Sequence, residues 1–362
     1  MLIIMERLIS LEGLSELFEL LKQEYTVYGP VIENGFITTG RPESLSQLPS
    51  GFISVEEKNS YSISEGEGFF SYPRPAYPYK RLVHPPEYRF MEIKKDNGDL
   101  DFKYVLPEEK IAIFDIRSCD LRGLAILDDV FINKNSYPDA VYSRLRENLF
   151  IVAVTCTSPS PVCFCTSMGI DLKPEDGYDI LLTEVDGGFI AEARTQKGTE
   201  VLSQIDGQSV RKEDFKKAET RINKAREKIQ RKVNTRKLPE RLYAKIDDPV
   251  WEETGKRCLA CGSCTQLCPT CFCFDVVEEN DPVNGTSCRV RVHDSCFNPS
   301  FATVHRFNIR QSIASRYRQW LMHKFAYWVD QFGSFGCVGC GRCITWCPAS
   351  IDITEEIERI TD

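Results

Sequence analysis

Apolar and polar positions change rhythm along the chain. Leu14, Leu17, Phe18 and Leu21 recur at three- and four-residue intervals, which predicts a helix over Glu12–Glu24. Gly29-Pro30 is the first clear break. Residues 65–90 are dense in proline and aromatics and read as an extended, well-packed connector. Short apolar runs at Ile111–Phe114, Leu149–Thr155, Tyr178–Val185 and Phe189–Ala193 read as strands, with helical spacing over Leu121–Val130 between the first two. That alternation predicts a mixed α/β N-terminal domain over residues 1–200. Residues 201–249 read as a basic helical linker, on which Phe215, Ala218, Ile222, Ala225 and Ile229 mark one apolar face. A further helix is predicted from Asn308 to Trp328.

Composition narrows the class. The 362 residues are 42% hydrophobic and 27% charged, ordinary for a globular chain. No apolar run approaches the ~20 residues that span a bilayer. The start, MLIIMERLIS, lacks a basic leader and a small-residue cleavage site, so a cytoplasmic protein is expected. Met5 is an equally good initiator. The net charge of −8 argues against a nucleic-acid partner. One stretch runs the other way: residues 211–237 hold twelve Lys/Arg against four Asp/Glu. A solvated helix packed on its own protein explains this, and a docking face for an acidic partner is the competing reading.

Sixteen cysteines change the picture, because twelve lie between Cys258 and Cys347. In a reducing compartment, tight spacing favours a metal over disulfides. Two segments, Cys258-Leu-Ala-Cys261-Gly-Ser-Cys264-Thr-Gln-Leu-Cys268-Pro269 and Cys337-Val-Gly-Cys340-Gly-Arg-Cys343-Ile-Thr-Trp-Cys347-Pro348, both spell C-x2-C-x2-C-x3-C-P. In such a run the first three thiolates hold one [4Fe-4S] cluster and the fourth crosses to the other. Cys258, Cys261, Cys264 and Cys347 are therefore assigned to cluster 1, and Cys337, Cys340, Cys343 and Cys268 to cluster 2. Zinc uses single C-x2-C pairs freely but does not ask for eight thiolates in this pattern. The fold class that follows is α+β: the N-terminal α/β domain, the helical linker, and a two-cluster ferredoxin-like domain over 250–362 with a helical insertion at 269–336. Arg306, Arg310, Arg316, Arg318, His323 and Lys324 fall in or beside the insertion's helix, where basic groups would raise a cluster's potential or form a docking face.

A second cysteine set lies upstream. Cys119 follows one expected strand, Cys156 ends another, and Cys163 and Cys165 come shortly after. If those strands are neighbours, their C-terminal ends bring the thiols together. Four thiols are the right number for a third [4Fe-4S] cluster; zinc, or simple packing of small buried cysteines, are the alternatives. Cys271, Cys273, Cys288 and Cys296 read as packed residues rather than ligands, as do His293 and His323.

IAIFDIRSCDLRGLAILDDVF, CTSPSPVCFCTSMG, CLACGSCTQLCPTCFCFDV, and HDSCF followed by FGCVGCGRCITWCPASIDI together resemble the beta subunit of cytosolic sulfhydrogenases and the A subunit of anaerobic sulfite reductases. The resemblance implies a relay of electrons between a flavin subunit using NAD(P)H and a catalytic hydrogenase or reductase subunit. The residues agree: no GxGxxG after a strand, P-loop, HExxH or Ser/His/Asp set supplies substrate chemistry of its own. The competing reading is a sulfur-compound reductase that binds substrate at a cluster in the N-terminal domain. A redox sensor is a more distant third.

Overall fold

The computed structural model describes residues 5–96, 99–281 and 283–361. Its N-terminal part is built on a seven-stranded sheet in the order Met5–Ile9, Gly188–Ala193, Ile180–Val185, Leu149–Val154, Ile111–Ile116, Thr26–Glu33, Phe36–Gly40. The four strands Ile180–Val185, Leu149–Val154, Ile111–Ile116 and Thr26–Glu33 run parallel, and antiparallel strands flank them on both sides. Both central strands, IAIFDI and LFIVAV, are buried at every position. Strands covered on both faces read as continuous apolar runs for this reason.

Helix Leu11–Glu24 covers one face with Leu14, Leu17, Phe18 and Leu21, and its first turn is capped by the Ser10 hydroxyl, which accepts from the Gly13 N–H at 3.3 Å. Helix Ser118–Asp128 crosses from strand Ile111–Ile116 and packs Leu121, Leu124 and Leu127 on the other face. The expected strands and helices are all present, with ends shifted by a few residues. The connector 65–90 is extended except for one short helix, Lys80–Val83, and buries Phe70, Tyr72, Arg74 and Tyr79.

The basic segment is shorter than its composition predicts. Its helix runs Lys212–Lys228 and ends before Ile229, and a separate helix, Leu238–Ala244, follows. Ile222, Ala225 and Ile229 pack against Cys156, Cys165 and Leu172, and Ala218 with Phe215 against Val185 and Ile190 of the sheet, so the apolar face is spent on the chain itself. Arg226 pairs with Asp171 at 2.9 Å.

The insertion contains its helix and, in addition, strands that the sequence reading did not separate. Phe274–Asp281 and Thr286–His293 form a hairpin that pairs with Glu87–Asp96 and then Asp99–Tyr104. The insertion is thereby knitted into the N-terminal half. Its helix starts at Ile313 rather than Asn308, because Ser312 caps it and Asn308 lies in a two-residue strand. It continues through a π-helical turn, His323–Tyr327, to Phe332.

Arg342 locks the two halves together. It is fully buried, grips both carboxylate oxygens of Asp120 at 2.6 Å, and donates to the Pro75 carbonyl. Removing one partner of a buried pair strands the other's charge, at a cost of roughly 3–5 kcal/mol. Arg342→Ala should lose stability of that order in chemical denaturation. A loss under about 1 kcal/mol would show that the pair is not a structural lock.

Candidate metal centres

The first thiol set surrounds one cavity. Cys258 follows helix Val250–Arg257, Cys261 lies on the loop after it, Cys264 in the short helix Ser263–Gln266, and Cys347 arrives from the second motif. All four line a cavity closed by Phe297, Tyr317, Trp320, Ile351 and Ile353. Backbone N–H groups already point at the sulfurs: Ala260 at 3.4 Å from Cys258 Sγ and Ile351 at 3.3 Å from Cys347 Sγ. The Tyr317 hydroxyl and Trp320 Nε1 are buried on the wall with no hydrogen-bond partner among the described residues. Buried donors without acceptors are costly, and the sulfides of a cubane would satisfy them. Cys261 and Leu259 are exposed, so this set reaches the surface.

The second set is Cys268, Cys337, Cys340 and Cys343. Cys343 also lines the first set's cavity, which makes the two sets neighbours. The Gly339 N–H lies 3.4 Å from Cys337 Sγ. Lys324, buried on the π-helical turn, places Nζ 3.2 Å from Cys268 Sγ and 3.2 Å from the Thr270 hydroxyl. Lys80, also buried, donates to the carbonyls of Thr265 and Cys271. None of these partners is a carboxylate. Both buried amines therefore have only neutral oxygens and thiols as partners, burial pulls the Lys80 pKa down, and a cluster with its thiolates would supply negative charge beside them. A hydrogen bond from Cys271, with Lys324 adding to it, holds the Cys268 thiol well below its usual range. Burial pushes Cys337 up to about 12, and Cys264 and Cys343 well up. Metal binding must displace those protons.

Three of the N-terminal cysteines lie together, and Cys119 packs beside Cys340. Cys156, Cys163 and Cys165 are buried and within electrostatic reach of one another, which adds to the effect of burial in raising the Cys163 and Cys165 thiols. Cys119, in the first turn of helix Ser118–Asp128, joins them through Arg74 and Cys340. Arg74 is buried with one nitrogen, Nη1, on both oxygens of Glu56 at 2.8 Å, while Nε and Nη2 have no partner among the described residues. Burial works against its charge, but Glu56 and then the thiols of Cys163, Cys340 and Cys119 hold its pKa well above the usual value. The donor set thus fits an anionic cluster here too.

This third set leans directly on the second. The Phe164 N–H donates to the Gly339 carbonyl at 2.8 Å. Gly339 and Gly341 both have positive φ, and a Cβ on them would lie 2.6 Å from the Cys165 backbone and 2.4 Å from the Val162 carbonyl. Only glycine permits that approach.

The remaining expectations sort plainly. Cys288 sits in its sheet, donating to Glu279 at 3.4 Å. His293 packs at a tilt against His84 and His323 against Trp328; neither falls in the three thiol sets. Among the described residues no three His, Cys, Asp or Glu side chains converge as a single ion would require; a cubane instead takes thiols spread around its iron corners. Sequence reasoning missed Arg74, Lys80 and Arg342 as parts of these sites. An Arg inside the C-G-R-C run and a cation in a proline-rich connector were the available signals.

A family model for the 4Fe-4S dicluster domain matches residues 257–351, which contain both cysteine motifs. The fold and thiol sets thus belong to an iron–sulfur electron-transfer protein whose cofactors are [4Fe-4S] clusters. Over its whole length the chain is similar to the sulfhydrogenase 2 subunit beta of Pyrococcus furiosus (strain ATCC 43587 / DSM 3638 / JCM 8422 / Vc1). Identity is 31% over 356 residues, covering 97% of each chain. The chain belongs to the sulfhydrogenase beta-subunit family. No solved structure matches it. No helix among the described residues is long and apolar enough to cross a membrane.

Replacing the buried ammonium beside Cys268 should make the adjacent cluster harder to reduce, since each added electron raises the cluster's negative charge. In Lys324→Met, an EPR-monitored redox titration should show one cluster's potential moved to a more negative value with the others unmoved. A positive shift, or none, would contradict the assignment of Cys268 to that cluster.

Proposed function

We propose that this chain is the electron-relay subunit of a cytoplasmic, multi-subunit oxidoreductase, working between a flavin subunit that uses NAD(P)H and a catalytic hydrogenase or reductase subunit. Cys258, Cys261, Cys264 and Cys347 would hold one cluster, Cys268, Cys337, Cys340 and Cys343 a second, and Cys119, Cys156, Cys163 and Cys165 a third. Once bound, each cluster stores and passes single electrons.

The observation that carries this reading is the contiguity of the thiol sets. Cys343 stands in the wall of the first set's cavity, and Cys340 lies in the field of Arg74 together with Cys163 and Cys119. The three sets therefore form one row, open to the surface at Cys261. The printed name of the relative, a sulfhydrogenase subunit, supports a place within a larger complex.

The chain's own residues do three things along this row. They shed protons as they take up iron, they hold sulfurs with backbone N–H groups, and they set buried cations against the charge that gathers on reduction. Burial of Cys156, Cys163 and Cys165 and a full complement of four thiols favour the relay over a sulfur-compound reductase with an open iron at that set.

Iron analysis of the anaerobically purified chain tests the third set. Wild type should carry about twelve irons, and Cys163→Ala/Cys165→Ala about eight. About eight in wild type would sink the third cluster while leaving the other two standing.

A further inference from the structure

Three thiols of the insertion fall outside the eight motif ligands and the N-terminal set and do not sit within a sheet: Cys271, Cys273 and Cys296. Cys273 immediately precedes strand Phe274–Asp281, and Cys296 follows strand Thr286–His293 by three residues. The hairpin register sets Phe274 opposite His293, and the Asp294 N–H donates to the Cys273 carbonyl at 3.0 Å. The open end of the hairpin thus clamps together the two segments that carry Cys273 and Cys296. A hydrogen bond from Cys296 draws the Cys273 thiol down to about 7, while the same bond and burial push Cys296 up.

Their exposure differs in a useful way. Cys273 is half-buried and lines a cavity of about 280 Å³, together with Lys80, Cys271, His293 and Asn298. Cys296 is buried and does not line the cavity. Cys271 is engaged elsewhere, hydrogen-bonded to Cys268.

We propose that Cys273 and Cys296 form a redox-active dithiol that exchanges with a small disulfide entering this cavity, with Cys273 attacking and Cys296 resolving. The Cys273 thiolate attacks one sulfur of R–S–S–R, whose S–S bond breaks; the departing thiolate takes up a proton and leaves as RSH. A mixed disulfide remains on Cys273. The Cys296 sulfur, giving up its proton, then attacks the Cys273 sulfur and releases the second RSH. The dithiol has lost two electrons, the disulfide has gained them, and both thiol protons have gone to the two leaving groups. Two molecules of thiol reverse the sequence. The proposal rests on the assignment of Cys268 and the other motif cysteines to clusters, and not on the third cluster.

The test uses the full, iron-loaded chain under anaerobic conditions with bis(2-hydroxyethyl) disulfide as probe. Free thiols are then alkylated with N-ethylmaleimide and the peptides mapped by mass. Wild type should yield a Cys273–Cys296 disulfide. Cys296→Ser should stop at a hydroxyethylthio adduct on Cys273, and Cys273→Ser should show neither, with iron per chain unchanged in both. Wild-type Cys273 and Cys296 recovered fully alkylated would overturn the proposal. So would a loss of about four irons in either variant, which would make these thiols cluster ligands instead.

Discussion

Buried positive charge with too little carboxylate to balance it is the constraint on which this structure turns. Lys324, Lys80 and Arg74 lie in the interior; Lys324 and Lys80 have hydroxyl, carbonyl and sulfur partners, and Arg74 satisfies only one of its nitrogens on Glu56. Isolated charges in a protein interior cost several kcal/mol each unless an opposite charge answers them. Here Glu56 answers Arg74, while Lys324 has a thiol and neutral oxygens and Lys80 carbonyls alone. Bound clusters with their thiolates would supply further negative charge here, which would couple iron binding to the stability of the fold.

That requirement explains why the two halves cannot be read as separate modules. The connector from the N-terminal half delivers Arg74 and Lys80 to thiols that belong mostly to the C-terminal half. Arg342, from within the second motif, returns the favour by gripping Asp120 on the helix that carries Cys119. Gly339 and Gly341 let the loop bearing Cys163 and Cys165 approach the second motif backbone to backbone. Charge, backbone geometry and packing converge on the same contact, between the second and third thiol sets.

Much of this was legible in the sequence, for physical reasons. Strands such as LFIVAV are continuous apolar runs because both faces are covered, and the C-x2-C-x2-C-x3-C-P spacing mirrors the geometry of a cubane. The segments that carry Cys119 and Cys156 could be placed on one side of the sheet because the strands before them are parallel neighbours. What escaped was non-local. Strands Phe274–Asp281 and Glu87–Asp96 belong to one sheet although about 190 residues separate them, and alternation alone does not name a distant neighbour. Arg74 offers only its place in a proline-rich connector as a local sign, because its partners are Glu56 and sulfurs supplied from three other segments. Helix Lys212–Lys228 looked like a linker because its charges dominate the composition, yet its few apolar residues form the lid over Cys156 and Cys165.

The central claim is that three clusters stand in one unbroken row. EPR spectroscopy of the fully reduced chain addresses it most directly, because neighbouring paramagnetic clusters broaden and split one another's signals. The account predicts about three spins per chain in a magnetically coupled spectrum. Three sharp, independent signals, or a coupled pair alone, would contradict it.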